Sequence, residues 1–389
     1  MKKRLFKLLL ILGLLITVKT SAQEYVLLGW NDLGMHCTNL DFSKVSVLPP
    51  FNNVFAQLVK KVQGHKPLVV TSNIIIEYSI PGNTYSAGKT NFWQYAKQLF
   101  GLKDDLPENI GLKGKGLNGV MEASGNYFVA EGIPVTPYQD SDLKTAQPYQ
   151  LIHLVAKDST TNEVLATTDV TIPVAAEDGC VKSGCHASEQ AILDGHKPVE
   201  GFNKNGPVLC GTCHGTAALG TIGDTVKALK FSYRIHSKHK FIQPENEIST
   251  CYNCHPGGKT NCYRDAMSIN KSNPMICQDC HGNLEKHSSS VLLGRRPWLD
   301  EPKCGNTECH GEKYAENEGK LFRQSQGHGK LFCSACHGSP HAIVPSREEN
   351  DNLQNIRLQG FAGALGKCSV CHDPVFKSNG PHGMKFKEE

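Results

Sequence analysis

The sequence has no apolar run long enough to cross a bilayer. Its basic first residues are followed by an apolar stretch from Leu8 to Val18 and by small residues up to Ala22. A membrane helix needs about 20 apolar residues, so this stretch is too short. The succession is typical of a secretory signal peptide. We therefore predict that residues 1–22 are removed and that the protein is exported, periplasmic or extracellular. We expect no transmembrane anchor, and no lipid anchor either, because no cysteine follows Ala22 directly.

The mature chain also lacks an excess of charge of either sign. The whole sequence has 41 Lys and Arg against 37 Asp and Glu. Residues 1–22 hold five of the basic residues and no acidic one, so the mature chain has 36 against 37. Proteins that bind nucleic acid carry a basic patch and a high isoelectric point. Nothing in this near-neutral chain favours nucleic acid as a partner.

What the chain does contain is one short motif repeated seven times, two cysteines followed at once by a histidine. Five copies have the spacing C-x-x-C-H and two are stretched to C-x-x-x-x-C-H. In chain order, the first to seventh motifs are Cys180/Cys185/His186, Cys210/Cys213/His214, Cys251/Cys254/His255, Cys277/Cys280/His281, Cys304/Cys309/His310, Cys333/Cys336/His337 and Cys368/Cys371/His372.

This spacing suits the covalent attachment of haem. Two thiols can add to the two vinyl groups on one edge of the ring, while the following histidine ligates the iron as proximal ligand. Paired cysteines also build zinc sites, but zinc gives no reason for a histidine after every second cysteine. Over roughly residues 178–384 the chain resembles the multihaem c-type cytochromes, in which both spacings occur. The resemblance implies seven covalently bound haem c groups, attached after export.

The spare histidines match the motifs in number. Of 17 histidines, seven are proximal and three lie in the first part of the chain, at His36, His65 and His153. Methionine is scarce, at six residues, so we expect two histidines at most or all irons and a low potential. The sequence does not pair each candidate with a motif, although we expect His236 and His239 to serve different haems. The candidate distal ligands are His196, His236, His239, His287, His328, His341 and His382.

The chain divides near residue 175. Residues 23–175 contain no motif, and β-prone runs at 25–30, 45–48, 68–80, 127–129, 149–156 and 164–174 are separated by turn formers. One amphipathic helix interrupts them between Thr90 and Gly101. These patterns predict a mostly β, sandwich-like domain, with an immunoglobulin-like layout as one form of it.

Residues 176–389 carry the motifs at intervals of 26 to 41 residues. So few residues per haem cannot build an ordinary apolar core. We therefore predict a haem-packed multihaem cytochrome c domain, in which the haems form the core and are wrapped by short helices and irregular coil. Regular sheet is not expected there.

Two cysteines, Cys37 and Cys262, lie outside the motifs. In an exported protein they can form a disulfide between the two halves, or they can stay separate buried thiols, and the sequence leaves both open. His36 lies beside Cys37 in a turn-rich stretch. It is either an additional or intersubunit haem ligand, or part of a structural turn that puts Trp30 in the core. We favour the structural turn.

These features favour an exported electron-transfer protein over an enzyme. The leading interpretation is a chain of seven low-potential haems that serves redox partner proteins or extracellular electron acceptors. One alternative is a subunit of an extracellular conductive filament, in which the protein is its own partner and His36 is the natural intersubunit ligand. The other is a multihaem reductase with one open haem site, which a missing distal histidine would reveal.

Overall fold

The computed structural model describes most of the chain beyond the predicted signal peptide. The described residues are 24–176, 179–224, 228–242, 244, 246–257, 260, 262–264, 272, 274–297, 299–307, 310–314, 316–374 and 380–383. Residues 1–22 lie outside them. Within these ranges no helix combines the length and the apolar character that a bilayer crossing requires.

Two five-stranded sheets build the first half. One has the order β1-β4-β9-β8, with β5 also paired to β4, and the other has the order β2-β11-β10-β6-β7, in which β2 pairs with β11 in parallel. β3 Val45–Ser46 lies outside both sheets. The ten strands of the sheets are β1 Tyr25–Asn31, β2 His36–Thr38, β4 Asn52–Lys60, β5 Leu68–Val70, β6 Ile74–Ser79, β7 Asn118–Val120, β8 Glu122–Ser124, β9 Tyr127–Ile133, β10 Tyr149–Asp158 and β11 Val164–Ala176.

One apolar core lies between the two sheets. Leu27 of one sheet and Leu154 and Ile172 of the other are at most 1% exposed and belong to the same cluster of buried side chains. Burial of each such side chain contributes about 1.5–3 kcal/mol. At Gly29 the sheets come so close that a Cβ atom would meet Val170 Cγ2 at 2.5 Å. The first half is therefore β-rich, as the sequence predicts.

Two local features differ from the sequence prediction. Strand β4 is central in its sheet, yet it was not predicted, because it begins with two asparagines and is buried on both faces near its end. Helix α1, Phe92–Phe100, ends as predicted at Gly101, which takes the left-handed conformation with φ 61°. Asn91, rather than Thr90, precedes the helix, and the Thr90 hydroxyl donates to the Leu40 carbonyl at 2.7 Å instead.

Short helices and turns make up the second half. The only regular pairing among its described residues is two-residue strands, β12 Val208–Leu209 with β3 and β13 Gly338–Ser339 with β14 Ala342–Ile343. The helices are α2 Gly179–Lys182, α3 Glu189–Gly195, α4 Cys210–Cys213, α5 Phe231–Lys238, α6 Ile248–Tyr252, α7 Cys277–His281, α8 Leu284–Leu292, α9 Cys333–His337 and α10 Glu349–Gln359.

The second half is docked on the first through buried contacts. The side-chain oxygen of Gln354, on α10, accepts hydrogen bonds from the Gly29 backbone at 2.7 Å and from the Thr168 hydroxyl at 3.0 Å. The Trp30 ring lies 5.4 Å from that of Phe332, directly before the sixth motif. Trp30 thus belongs to an apolar cluster shared by both halves.

Candidate functional site

The C-x-x-C-H motifs form tight helical turns. The backbone N–H of His214 donates to the Cys210 carbonyl at 3.0 Å, and His255 donates to Cys251 at 2.9 Å. This is the bond that closes one α-helical turn. It holds the first thiol and the imidazole on one short, rigid segment, as attachment to a single ring would need.

The stretched motifs close in the same way. His186 donates its backbone N–H to the Cys180 carbonyl at 3.0 Å, and His310 donates to the Cys304 carbonyl at 3.2 Å. In both spacings, the backbone N–H of the histidine is therefore bonded to the carbonyl of the first cysteine. Cys309, the second cysteine of the fifth motif, lies outside the described residues.

Among the predicted attachment cysteines that the structure describes, Cys180, Cys185 and Cys213 are exposed and the others are partly buried. Cys185 is the second cysteine of the first motif, and its Sγ is 3.6 Å from the Ser183 hydroxyl. Cys280 lies in α7 and is only partly buried. The structure describes Cys185 and Cys280 as thiols, so it does not confirm their attachment to haem, which stays a prediction.

Haem attachment is likewise a prediction for the other described cysteines of the motifs. Each is a thiol in the structure, and its thioether bond to haem stays a prediction that the mass of the exported protein can test. These cysteines are Cys180, Cys210, Cys213, Cys251, Cys254, Cys277, Cys304, Cys333, Cys336, Cys368 and Cys371.

Six of the seven proximal histidines lie beside one of the predicted distal histidines. In these pairs the ring centroids are 5.9 to 6.3 Å apart. The pairs, proximal residue first, are His186 with His239, His214 with His196, His255 with His236, His281 with His341, His337 with His382 and His372 with His328.

This spacing is what two imidazoles on one metal ion require. A bond between a transition metal and an imidazole nitrogen is about 2.0 Å long. The centre of a five-membered ring lies roughly 1.1 Å behind its nitrogen, given ring bonds of about 1.33 Å. Centroids on opposite sides of a metal are therefore about 6.3 Å apart, which fits the histidine pairs.

A two-histidine arrangement suits a metal whose other ligands come from a flat macrocycle. Within the described ranges, no group of three or more His, Cys, Asp or Glu side chains is arranged to hold a bare metal ion. Zinc takes four protein ligands in structural sites and three plus water in catalytic sites. The residues present therefore fit haem better than they fit zinc.

Backbone carbonyls orient several of the paired rings. On α5, Nδ1 of His236 donates to the Ser232 carbonyl at 2.7 Å, and Nδ1 of His239 donates to the Ile235 carbonyl at 2.8 Å. A carbonyl only accepts, so the basic nitrogen of each ring is Nε2, as in most histidines that ligate metals. Helix α5, with His239 as its C-cap, thus places two histidines beside different motifs. The same bond holds His196 to the Lys197 carbonyl and His214 to the Leu229 carbonyl.

Burial keeps the central imidazoles neutral. Desolvation, followed by the neighbouring imidazoles, lowers the pKa of His255 to about 4. Desolvation also lowers the pKa values of His281 and His287 to about 3, with nearby histidines and Arg295 adding to the effect. The neutral imidazole is the form that ligates metals.

The motif thiols are kept protonated by the same desolvation. Burial raises the pKa of Cys336 to about 12 and that of Cys371 to about 11. Burial, with Glu316 and Cys333 nearby, raises the pKa of Cys304 to about 12.

His287 and His341 both lie near His281, but their nitrogens differ. The two ring nitrogens of His287 are 3.1 Å from the Ser232 hydroxyl and 3.2 Å from Arg295, and its ring is 6.4 Å from that of His281. Nδ1 of His341 lies 3.0 Å from the Leu33 carbonyl, which directs Nε2 away from that carbonyl. The geometry favours His341 as the partner of His281.

The loop Asn31–Gly34 connects the β-rich half to this site. The Leu33 carbonyl accepts hydrogen bonds from both the backbone N–H and Nδ1 of His341, each at 3.0 Å. Arg264 donates to the Gly34 carbonyl at 2.5 Å. The first half thus fixes the orientation of a predicted iron ligand.

His36 stabilises the turn from within. Its Nε2 is 2.6 Å from Asp32 Oδ1, and the residue is 3% exposed. A ligand to a second chain has to reach the surface, so the burial of His36 favours the structural turn over an intersubunit ligand role.

Asp32 should make the stability of this turn depend on pH. Burial alone would raise its pKa, but His36 and the hydrogen bonds from His36 and Asn53 outweigh burial and lower the pKa below 3.8. The ionised carboxylate therefore stabilises the fold above pH 3.8, and this contribution is lost as pH falls through the folded-state pKa. We expect Asp32→Asn to cost about 1–3 kcal/mol at neutral pH.

Urea unfolding of the haem-loaded protein, from neutral pH down to about pH 3, measures this effect. The difference between wild type and Asp32→Asn should shrink at the acid end, because wild type loses the charge there. Asp104→Asn is the matched control, since Asp104 is exposed. A difference that stays constant with pH would contradict the assigned role of Asp32.

Cys262 is a partly buried thiol in the structure, and desolvation raises its pKa to about 11. Cys37 lies in β2, paired with Ala175 of β11. Both cysteines are thiols in the structure, and a disulfide between them and two separate thiols remain the two alternatives that the sequence offers.

No protein-family model, curated protein or solved structure matches this chain significantly. Its function therefore has to be inferred from the residues themselves.

Two groups near the site have no sequence pattern that could have revealed them. Every residue has a backbone carbonyl, so the sequence does not single out that of Leu33. Arg295 reaches the histidine cluster only through the packing of α8.

Proposed function

We propose that the protein is an exported multihaem cytochrome c that carries electrons along seven covalently attached haem c groups. The observation that carries the proposal is the set of six histidine pairs, each of which contains the histidine that follows a cysteine motif. Two imidazoles on iron favour a low potential. Redox proteins or extracellular electron acceptors are the partners that such a chain would serve.

In this proposal the two halves have different tasks. Residues 23–175 form a sandwich-like domain, with the immunoglobulin-like layout as its finer form, and residues 176–389 wrap the haems. The motif cysteines tether each ring, the proximal and distal histidines hold the iron, and Leu33 orients His341. When bound, haem supplies a one-electron iron couple. Bis-histidine ligation limits access of other molecules to that iron.

Neighbouring motifs suggest the path of the electrons. Helix α5 links the first and third motifs, because it carries the partners of both proximal histidines. A Cβ atom at Gly179, beside the first motif, would meet the Cys254 carbonyl of the third at 2.6 Å. The second motif is linked to the first through His196, which follows His186 by ten residues and pairs with His214.

The remaining motifs extend the path. Cys277 of the fourth motif lies close enough to Cys251 of the third to lower the pKa of the Cys251 thiol. The partner of the fourth proximal histidine, His341, follows the sixth motif directly. Cys333 of the sixth motif helps to raise the pKa of Cys304 in the fifth. Cys371 of the seventh motif helps to raise the pKa of Cys336 in the sixth. The proposed path runs second, first, third, fourth, sixth, with the fifth and seventh beside the sixth.

The filament alternative depends on an intersubunit ligand. His36 was the natural candidate, and it is 3% exposed. No other observation favours polymerisation, so a path within one chain is the better-supported function.

The intact mass of the exported protein tests the proposal. We expect seven haems per chain, retained in denaturant, because thioether bonds do not depend on the fold. The double variant Cys210→Ala/Cys213→Ala should lose one haem and keep the others. A protein that is short by two haems would mean that the stretched motifs are not used, and a protein without haem would refute the proposal.

A further inference from the structure

The proximal histidine of the fourth motif faces a positive charge. Nη2 of Arg295 lies 3.5 Å from Nδ1 of His281, the ring nitrogen that remains when Nε2 binds iron. In His236 and His341, Nδ1 faces a backbone carbonyl instead. His281 therefore differs from these two predicted ligands in the sign of the charge beside its ring.

Arg295 keeps its charge in this position. Burial lowers the pKa of its guanidinium, and the Asp300 carboxylate opposes that effect, but arginine is effectively always protonated in proteins. Asp300 is itself bonded to Arg296, to the backbone N–H at 2.8 Å and to a guanidinium nitrogen at 3.0 Å. Asp300 thus compensates the charge of Arg295 only in part.

His287 and the end of α8 hold the guanidinium in place. Nη1 of Arg295 is 3.2 Å from Nδ1 of His287, and the backbone N–H of Arg295 donates to the Ser290 carbonyl at 2.9 Å. Because a guanidinium only donates hydrogen bonds, Nδ1 of His287 accepts and its Nε2 carries the hydrogen. Nε2 then donates to the Ser232 hydroxyl at 3.1 Å. These contacts make His287 a positioning residue for Arg295.

A charge at this distance acts on the iron. The two nitrogens of an imidazole are about 2.2 Å apart and a metal–imidazole bond is about 2.0 Å long, so Nη2 lies at most about 8 Å from an iron on His281. Ferric iron carries one more positive charge than ferrous iron, so a nearby cation disfavours the ferric form and raises the potential. A carbonyl bonded to Nδ1 has the opposite effect, because it makes the ligand more basic.

We infer that Arg295 raises the potential of the fourth haem above that of the third, and that electrons from the second and first motifs collect there. The inference rests on the proposed haem function and gives the proposed path a direction. Each transfer moves one electron, so that ferrous iron at the third motif is oxidised as ferric iron at the fourth is reduced. A reduced redox partner protein supplies the electron at the second motif.

Spectroelectrochemical titration of the haem-loaded, full-length protein tests the order of potentials. His341→Met and His236→Met should each raise one component, because a thioether favours reduced iron. These two components identify the fourth and the third haem, respectively. In the wild-type protein, the component of the fourth haem should lie at the higher potential of the two.

Arg295→Gln tests the cause of this order. It should lower the component of the fourth haem more than any other, while the spectra stay low-spin because the iron keeps both imidazoles. Arg295→Lys keeps the charge and should retain most of the original potential. The matched control is Arg296→Gln, since the Arg296 side chain is 61% exposed. It should shift the fourth component far less, because salt screens an exposed charge.

Three outcomes would overturn the inference. A fourth haem at or below the potential of the third in the wild-type protein would do so without any Arg295 variant having to fold. Equal shifts in Arg295→Gln and Arg296→Gln would mean that surface charge in general sets the potential. A shift accompanied by high-spin iron would show that Arg295 only holds His281 in place. Absence of haem, in contrast, would refute the proposed function itself.

Discussion

Asp351→Ala should lower the free energy of unfolding by about 3–5 kcal/mol, because it leaves Arg264 buried without its carboxylate. Nε of Arg264 is 2.6 Å from Asp351 Oδ2, and the two side chains are 2% and 4% exposed. The guanidinium also lies over the Tyr149 ring, 4.8 Å from its centroid. The Arg264 side chain thus contacts helix α10, the loop Asn31–Gly34 and strand β10.

A second ion pair of α10 provides the matched control. Arg357 pairs with Asp169 of β11, but its side chain is 55% exposed. Exposed pairs contribute about 0.2–1 kcal/mol, so Arg357→Ala should cost far less than Asp351→Ala. Replacing both buried partners, in Arg264→Met/Asp351→Leu, should recover most of the loss, since no charge is then left unpaired.

Urea unfolding of the haem-loaded protein, followed by tryptophan fluorescence and by haem absorbance, measures these costs. The two probes should move together in Asp351→Ala, because Arg264 holds the loop that orients His341. Equal losses in Asp351→Ala and Arg357→Ala would contradict the role of the buried pair. A fluorescence change without any haem change would show that the two halves unfold separately.

Local patterns explain what the sequence predicts well. The cysteine motifs can be read directly, since covalent attachment and a tight turn depend only on neighbours in the chain. Most strands of the first half follow from apolar and β-branched runs separated by turn formers, as in β11. The end of α1 at Gly101 follows from the left-handed conformation that glycine adopts easily.

Tertiary packing explains what the sequence does not predict. His341 follows its partner His281 by 60 positions, and it reaches that place because the Leu33 carbonyl and the sixth motif hold it there. His287 is six positions from His281 and would be the simpler choice from the sequence. Counting alone suggested seven pairs, whereas the positions of His310 and His287 leave six. Which two histidines form a pair depends on which turns pack against each other, and no local sequence pattern predicts that packing.

The same pairing predicts a large electrochemical effect. His341→Met should raise the potential of one haem by on the order of 0.1 V, because a thioether favours reduced iron more than imidazole does. Axial ligands set haem potentials over a range of about 0.8 V, so a single exchange can produce a shift of this size. Spectroelectrochemical titration of the haem-loaded protein should show one component moving to higher potential while the others stay in place.

His287→Met is the matched control, since both histidines lie within 6.4 Å of the His281 ring. It should leave the iron ligands unchanged and shift no component by a comparable amount, because His287 is bonded to Ser232 and Arg295. If His287→Met moved one haem and His341→Met moved none, the assignment would be reversed. The bond from His341 to Leu33 would then serve only to dock the two halves, and the β-rich domain would have no direct influence on the fourth iron.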